Sequence, residues 1–233
     1  YEEGNLTDTA YYKILTISNK GCGTTNSNSI KVSVYQDFKV GTIELNDTVC
    51  YGEIPSLIIN TTEPSGGDGN YFYNWYTSLN GSTWSSIPGA IEDVFQPGSL
   101  VDPTYYKVVQ TSGSGCGTGE TNAKEIVVFP SVVGANAFGN QAICFNTVPN
   151  TIYRSNVATG GGNDGFTYQW QISSDDLFWS DIIGEKDSLY NPSSLTSSTF
   201  YRLKTVSNFG CGPKYSPSQF VEVYDLFRPG EIE

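Results

Sequence analysis

Tyr71-Phe72-Tyr73-Asn74-Trp75 is the stretch that decides the fold. Tyr73 and Trp75 fall on one face of a period-two segment, the signature of a half-buried β-strand. Phe166-Thr167-Tyr168-Gln169-Trp170 repeats the pattern 95 residues later. Landmarks around the two strands repeat as well. Trp84 follows Trp75 by nine residues, and Trp179 follows Trp170 by nine. Cys50 precedes Trp75 by 25, and Cys144 precedes Trp170 by 26. Tyr105-Tyr106 follows Trp84 by 21, as Phe200-Tyr201 follows Trp179, and ten residues separate Tyr106 from Cys116, Tyr201 from Cys211 and Tyr12 from Cys22. Self-similarity at a fixed period marks a tandem array and governs every later inference.

The period assigns residues 39–131 and 132–227 to two whole copies. Residues 1–38 correspond to the last third of a copy: Asn5-Leu6-Thr7 through Tyr11-Tyr12 and Cys22 match Gly98-Ser99-Leu100 through Tyr105-Tyr106 and Cys116. Residues 228–233 echo Gly41-Thr42-Ile43-Glu44 and read as the start of a further copy. The expectation is a segment of a much longer repeat protein.

Within each copy, Tyr106 and Val108, Tyr201 and Leu203, and Tyr12 and Ile14 share faces, while Lys107, Arg202 and Lys13 alternate toward solvent. Turn signals lie at Ser65–Asn70, Gly160–Gly165, Asn80-Gly81 and Ser112–Gly115, where Gly and Asn supply turn conformations. No stretch carries a helical period. About seven short strands per copy, with Trp75 or Trp170 on the third, predict an all-β chain of tandem immunoglobulin-like β-sandwiches arranged head to tail. Trp75, Trp170, Tyr106 and Tyr201 are the expected core. The expected strands of the first copy are a first strand in two parts, Gly41–Glu44 and Thr48–Cys50, then Ser56–Thr61, Tyr71–Tyr76, Val94–Gln96, Tyr105–Thr111 and Ala123–Phe129.

Composition limits the chemistry. Twelve basic against 24 acidic residues give a net charge of −12, which removes the basic stripe that a phosphate backbone requires and argues against nucleic acid as a partner. No apolar run approaches the 18 residues of a membrane-spanning helix, so no direct membrane insertion is expected. Histidine is absent, and with it the most adaptable general base and the Ser-His-Asp and Cys-His arrangements. Asp175-Asp176 sits at a hairpin tip where Asp favours turn hydrogen bonding, and the other copy has Ser78-Leu79-Asn80-Gly81 there. The chain reads as a non-enzyme without cofactors. The loops Gly66-Gly67-Asp68-Gly69 and Gly161-Gly162-Asn163-Asp164-Gly165 offer too few carboxylates for calcium's six to eight oxygens, and read as tight turns that need positive φ. Trp84 and Trp179 read as rings packed over the sandwich edge, with sugar-stacking platforms as the alternative.

The five cysteines, at 22, 50, 116, 144 and 211, admit two pairings. One bond per copy, Cys50–Cys116 and Cys144–Cys211, matches the spacing of antibody domains. Topology favours another scheme. Cys50 closes a strand at one end of a sandwich, and Cys116 lies at the hairpin tip at the opposite end. A strand of about seven residues spans roughly 23 Å, whereas a disulfide needs Cα atoms within about 7 Å. In a head-to-tail array Cys50 instead faces Cys211, and Cys22, Cys116 and Cys144 find partners in copies outside the segment. Either scheme needs an oxidising compartment. The inter-domain scheme gives two connections per junction and a stiff, force-bearing stalk.

Thr48-Val49-Cys50-Tyr51-Gly52-Glu53-Ile54-Pro55, Tyr73-Asn74-Trp75, Gly81-Ser82-Thr83-Trp84, Pro97-Gly98-Ser99-Leu100, Thr104-Tyr105-Tyr106-Lys107 and Gly115-Cys116-Gly117, with their counterparts in the second copy, resemble the immunoglobulin-like repeats of giant Bacteroidetes cell-surface adhesins. The best-known members are the SprB-type gliding-motility adhesins, exported by the type 9 secretion system. Asn74 stands where Gln is usual. The resemblance implies an extracellular filament attached to the outer membrane. It also implies adhesion or gliding as the function, with other repeats of the same chain, surface polysaccharide or solid surfaces as partners. It further implies O-glycosylation at Asp-Ser/Thr motifs, which Thr9, Thr48 and Ser188 fit; ordinary turn chemistry accounts for those motifs equally well. A carbohydrate-binding accessory region of a secreted hydrolase, or a passive spacer, are the alternatives.

Overall fold

The structure is a computed structural model that describes residues 4–226 and Gly230. The expected start of a further copy at 228–233 therefore lies outside the described residues, apart from Gly230. Among the described residues every regular element is a strand. The chain divides into two compact units, Tyr1–Asp47 with Ile54–Val127, and Thr48–Glu53 with Val128–Glu233.

In the first unit, β1 (Ala10–Tyr12), β2 (Leu15–Ile17), β3 (Thr24–Asn26) and β4 (Ile30–Val32) form a hairpin, with β1 on β4 and β2 on β3. Tyr12 stands opposite Ile30 and Ile17 opposite Thr24. No described residue before Gly41 is buried, so this hairpin is held by its ladder rather than by a core of its own. The chain continues through β5 (Gln36–Lys39), β6 (Thr42–Ile43), β7 (Asp47–Cys50), β8 (Asn60–Thr62), β9 (Ser65–Gly67), β10 (Tyr71–Ser78), β11 (Ser85–Ser86), β12 (Thr104–Ser112), β13 (Thr118–Glu120) and β14 (Lys124–Phe129).

One sheet runs β11-β10-β12-β14-β7, with β13 also on β12. β6 pairs β8, and an isolated bridge joins Ile58 to Phe95. The expected strand at Val94–Gln96 is reduced to that bridge. The expected strand at Ser56–Thr61 is likewise shorter, beginning only at Asn60. The reason is sequence: Pro55 and Pro97 flank the pair, and proline cannot donate to a ladder.

The second unit repeats the plan with β15 (Ala137–Phe138), β16 (Gln141–Cys144), β17 (Ile152–Arg154), β18 (Phe166–Ser173), β19 (Ser180–Asp181), β20 (Leu189–Tyr190), β21 (Thr199–Ser207), β22 (Pro213–Tyr215) and β23 (Gln219–Tyr224). Three strands run β15-β17-β20, and the other sheet runs β16-β23-β21-β18-β19 with β22 on β21. β16 lies parallel to β23, while the other pairs of that sheet are antiparallel. Two such sheets closed around a central tryptophan make each unit an immunoglobulin-like sandwich.

The same three rings fill both cores. Trp75 stacks on Phe95 at 5.4 Å, and Phe95 meets Tyr106 at 5.4 Å. Trp170 meets Tyr190 at 6.1 Å, and Tyr190 meets Tyr201 at 5.5 Å. Trp75 and Trp170 are fully buried, and Tyr106 and Tyr201 nearly so. A buried indole must place its N–H: Trp75 Nε1 donates to Glu92 O at 2.9 Å, and Trp170 Nε1 to Asp187 O at 3.0 Å. Buried polar groups on the long strands tie in the first strand of each copy. Gln110 Oε1 accepts from Gly41 N at 2.7 Å, and Thr205 Oγ1 from Ala135 N at 3.3 Å.

The glycine-rich loops do more than turn. β9 pairs with β5, so Gly66 lies against the Asp37 carbonyl, where a Cβ would collide with backbone. In the second unit Gly160 lies in the same way against Ser131, and Gly161 N donates to Pro130 O at 2.7 Å. Each loop therefore clamps the segment that enters its own copy.

Candidate functional site

Cys50 and Cys211 form a disulfide with Cα atoms 5.4 Å apart, across 161 residues of sequence. The alternative pairs Cys50–Cys116 and Cys144–Cys211 are not formed, and Cys22, Cys116 and Cys144 are exposed free thiols.

Both ends of the bond are set by local chemistry. Cys50 ends β7 in a turn where Glu53 N donates to Cys50 O at 3.0 Å and Cys50 N donates to Glu53 Oε2 at 3.2 Å. Gly52 supplies the left-handed residue at φ 80°. Tyr51 N donates to Phe129 O at 3.0 Å, which fixes the turn within the second unit. Cys211 stands between Gly210 and Gly212, both at positive φ. Its loop is closed by Gly210 N on Ser207 O at 3.0 Å and by Ser207 Oγ on Gly161 O. Phe209 and Phe129 meet edge to face at 4.6 Å beside Gly162, where a Cβ would press on the Phe209 Cβ and the Phe129 ring.

The unpaired cysteines occupy the same local frames. Cys144 ends β16 ahead of a turn in which Thr147 N and Thr147 Oγ1 donate to Cys144 O, with Asn146 at φ 60° in place of Gly52. Cys116 lies between Gly115 and Gly117 in a loop closed by Gly115 N on Ser112 O. Each copy thus carries one cysteine at a strand-end turn and one at a hairpin tip, with the turn geometry of the bonded pair.

Asp68 holds the tip that carries Cys116. Its carboxylate accepts Ser114 Oγ at 2.7 Å, Ser112 Oγ at 3.1 Å and Asn70 N at 3.2 Å. The Ser114 hydroxyl above all keeps the carboxyl well below the usual range. In the second unit the loop is instead tied by Asn208 Nδ2 donating to the Asp164 carbonyl at 2.8 Å. Among the described residues no group of three or more His, Cys, Asp or Glu converges as metal ligands do.

Asp175 of the acidic hairpin tip accepts Ser173 Oγ, Leu177 N and Phe178 N, each at 2.9 Å, and the Phe178 amide chiefly lowers its pKa. Asn80 makes the same bonds in the first copy, to Ser78 Oγ, Ser82 N and Thr83 N. A group replaceable by an amide is organising a turn.

Of the alternating positions read as solvent-facing, Lys13 is exposed, but Lys107 and Arg202 are half-buried and need correction. Lys107 Nζ lies 4.5 Å from the Trp84 ring and 2.7 Å from Glu120 Oε2. Arg202 stacks between Trp179 at 4.2 Å and Tyr215 at 4.1 Å, and its Nε donates to Gln171 Oε1. Tryptophan covers the cation because the ring's negative face attracts it and the guanidinium is weakly hydrated. Trp84 and Trp179 each therefore spend a face on the protein's own cation.

Thr9 and Ser188 are exposed, and Thr48 is half-buried in β7. Thr9 Oγ1 accepts Val34 N at 3.1 Å, and the Ser188 carbonyl accepts Arg154 N at 2.8 Å.

Comparison with solved structures gives remote likenesses. One is to Drosophila OTK, extracellular domains 3–5 (12% identity, 94% of this chain, 72% of that one, TM-score 0.38). Another is to titin domains A168–A170 (15%, 92%, 73%, 0.45). A third is to the fibronectin(III)-like modules of Clostridium thermocellum CbhA (13%, 82%, 99%, 0.34). No curated protein matches the chain. Residues 39–130 and 133–225 each match the family described as Domain of unknown function (DUF8696). With most of its length inside those two matches, the chain belongs to that family.

Proposed function

We propose that these domains are repeats of a long cell-surface adhesin, exported to an oxidising compartment and used to transmit force rather than to catalyse. The observation that carries this reading is the Cys50–Cys211 bond, because each cysteine belongs to a different copy of the repeat. Successive copies are then joined twice, once by peptide and once by sulfur. Two connections remove most of the hinge freedom that a single linker leaves. Cys116 and Cys144, in matching frames, would extend the ladder to neighbouring copies. A disulfide of this kind persists outside the reducing cytosol. The adhesin resemblance adds gliding motility, type 9 export, outer-membrane attachment and O-glycosylation at Thr9, Thr48 and Ser188 to the proposal.

Pulling single molecules by their termini tests the proposal. With the bond intact, residues between Cys50 and Cys211 stay hidden from force. Held above the force that unfolds a copy, a single reduction event exposes all 161 residues, roughly 500–600 Å of extended chain. Two separate releases of roughly 220–240 Å each would mean one bond per copy, and would remove the basis for a cross-linked stalk.

A further inference from the structure

The second unit carries a shallow groove that the stalk reading does not use. Its volume is about 400 Å³, and it is lined by Phe138, Gly139, Asn140, Gln141, Asn150, Thr151, Tyr153 and Gln219. Phe138 and Tyr153 are cross-strand partners on β15 and β17. Their rings lie within 19° of parallel, with centroids 6.0 Å apart, and each is about half exposed. The polar lining is amide and hydroxyl; no ionisable group other than the Tyr153 phenol contributes. The amides are held in place. Gln141 Nε2 donates to the Gly139 and Asn150 carbonyls, Gln141 Oε1 accepts Asn150 N at 2.7 Å, and Asn140 Oδ1 accepts Phe220 N at 2.6 Å.

The first copy lacks this surface. At the positions of Phe138, Tyr153 and Gln219 it has Glu44, Ile59 and Lys124, and Lys124 Nζ is bonded to Glu44 Oε2 at 3.0 Å. The strand registers set the equivalence: Lys124 stands opposite Tyr106 as Gln219 stands opposite Tyr201.

We propose that the groove binds a neutral carbohydrate chain. Stacked, exposed aromatic rings offer flat apolar faces to the C–H side of a pyranose. Gln141 and Gln219 each give both amide hydrogens to backbone carbonyls, which leaves their side-chain oxygens to accept from sugar hydroxyls while the Asn140 and Asn150 amides donate. The uncharged lining and the net charge of −12 turn away anionic polymers, which a basic groove would select. The proposal does not rest on the stalk: a repeat can bind glycan whatever its cysteines do.

Affinity electrophoresis of the whole chain in gels of neutral polysaccharide (β-1,4-glucan, β-1,3-glucan, mannan, galactomannan) tests it, with calorimetry on matching hexasaccharides. At least one polymer should retard the chain. Tyr153→Ala should weaken that binding at least tenfold. The double variant Phe138→Glu with Gln219→Lys, which installs the first copy's ion pair, should abolish it while leaving the melting curve unchanged. Cys50→Ser should leave binding intact, which separates this site from the disulfide. Absence of retardation by every polymer overturns the proposal. So does binding that survives both groove variants, or a groove that takes only a polyproline peptide.

Discussion

The two complete copies share a skeleton and differ in its covering. Each buries a tryptophan, on β10 or β18, packs a second ring on it and a third ring on the second, and places cysteines at a strand-end turn and a hairpin tip. Outside that frame the copies diverge. The first has Lys107 under one ring and a Glu44–Lys124 pair; the second has Arg202 between two rings and the uncharged Phe138–Tyr153 groove. The recurring frame is what folding and cross-linking require. The divergent surfaces are where individual repeats acquire separate roles.

The frame should break alike in both copies. Trp75→Ala and Trp170→Ala each remove a fully buried indole and its hydrogen bond, so each should cost about 3–5 kcal/mol in its own copy. Chemical denaturation followed by the remaining core tryptophan should show the other copy intact. Coupled loss of both would mean that the copies do not fold separately.

The coverings should respond unequally. Arg202→Ala loses two ring faces and should cost about 1–2 kcal/mol, whereas Lys107→Ala, with one close ring, should cost about 0.5–1 kcal/mol. Equal costs by thermal denaturation would remove the distinction between the two stacks.

The smallest effect separates Asp175 from Asn80. Both close the same turn, so Asp175→Asn should be close to neutral at pH 7. The folded pKa of Asp175 is lowered, so its stabilisation is present above the unfolded value of 3.8 and is lost as pH falls from there through the folded pKa. Acid titration of stability should therefore be shallower in Asp175→Asn than in the parent. Asp68 contributes a loss of the same sign in the first copy, which Asp68→Asn should remove.

Much of this was legible in the sequence because repetition doubles each signal. Trp75 and Trp170 recur in frame, and their period-two context forces strands. Directional reasoning about strands placed Cys50 and Cys116 at opposite poles without coordinates. Phe95 and Tyr190 escaped notice as core rings because their strands are only one or two residues long, although they too lie 95 apart. Alternation gives Lys107 and Arg202 a solvent-side face but says nothing of what covers it. Trp84 and Trp179 arrive from an adjacent hairpin, a tertiary contact that periodicity cannot express. The clamp between β5 and β9 was hidden for a similar reason: Gly66 and Gly67 satisfy a turn and a close backbone approach with the same residues.

Non-reducing peptide mapping of the chain, prepared under oxidising conditions with free thiols blocked, tests the central claim most directly. The account predicts one cross-linked peptide pair containing Cys50 and Cys211, with Cys22, Cys116 and Cys144 recovered as alkylated thiols. Recovery of Cys50 linked to Cys116, or of Cys144 linked to Cys211, would contradict it.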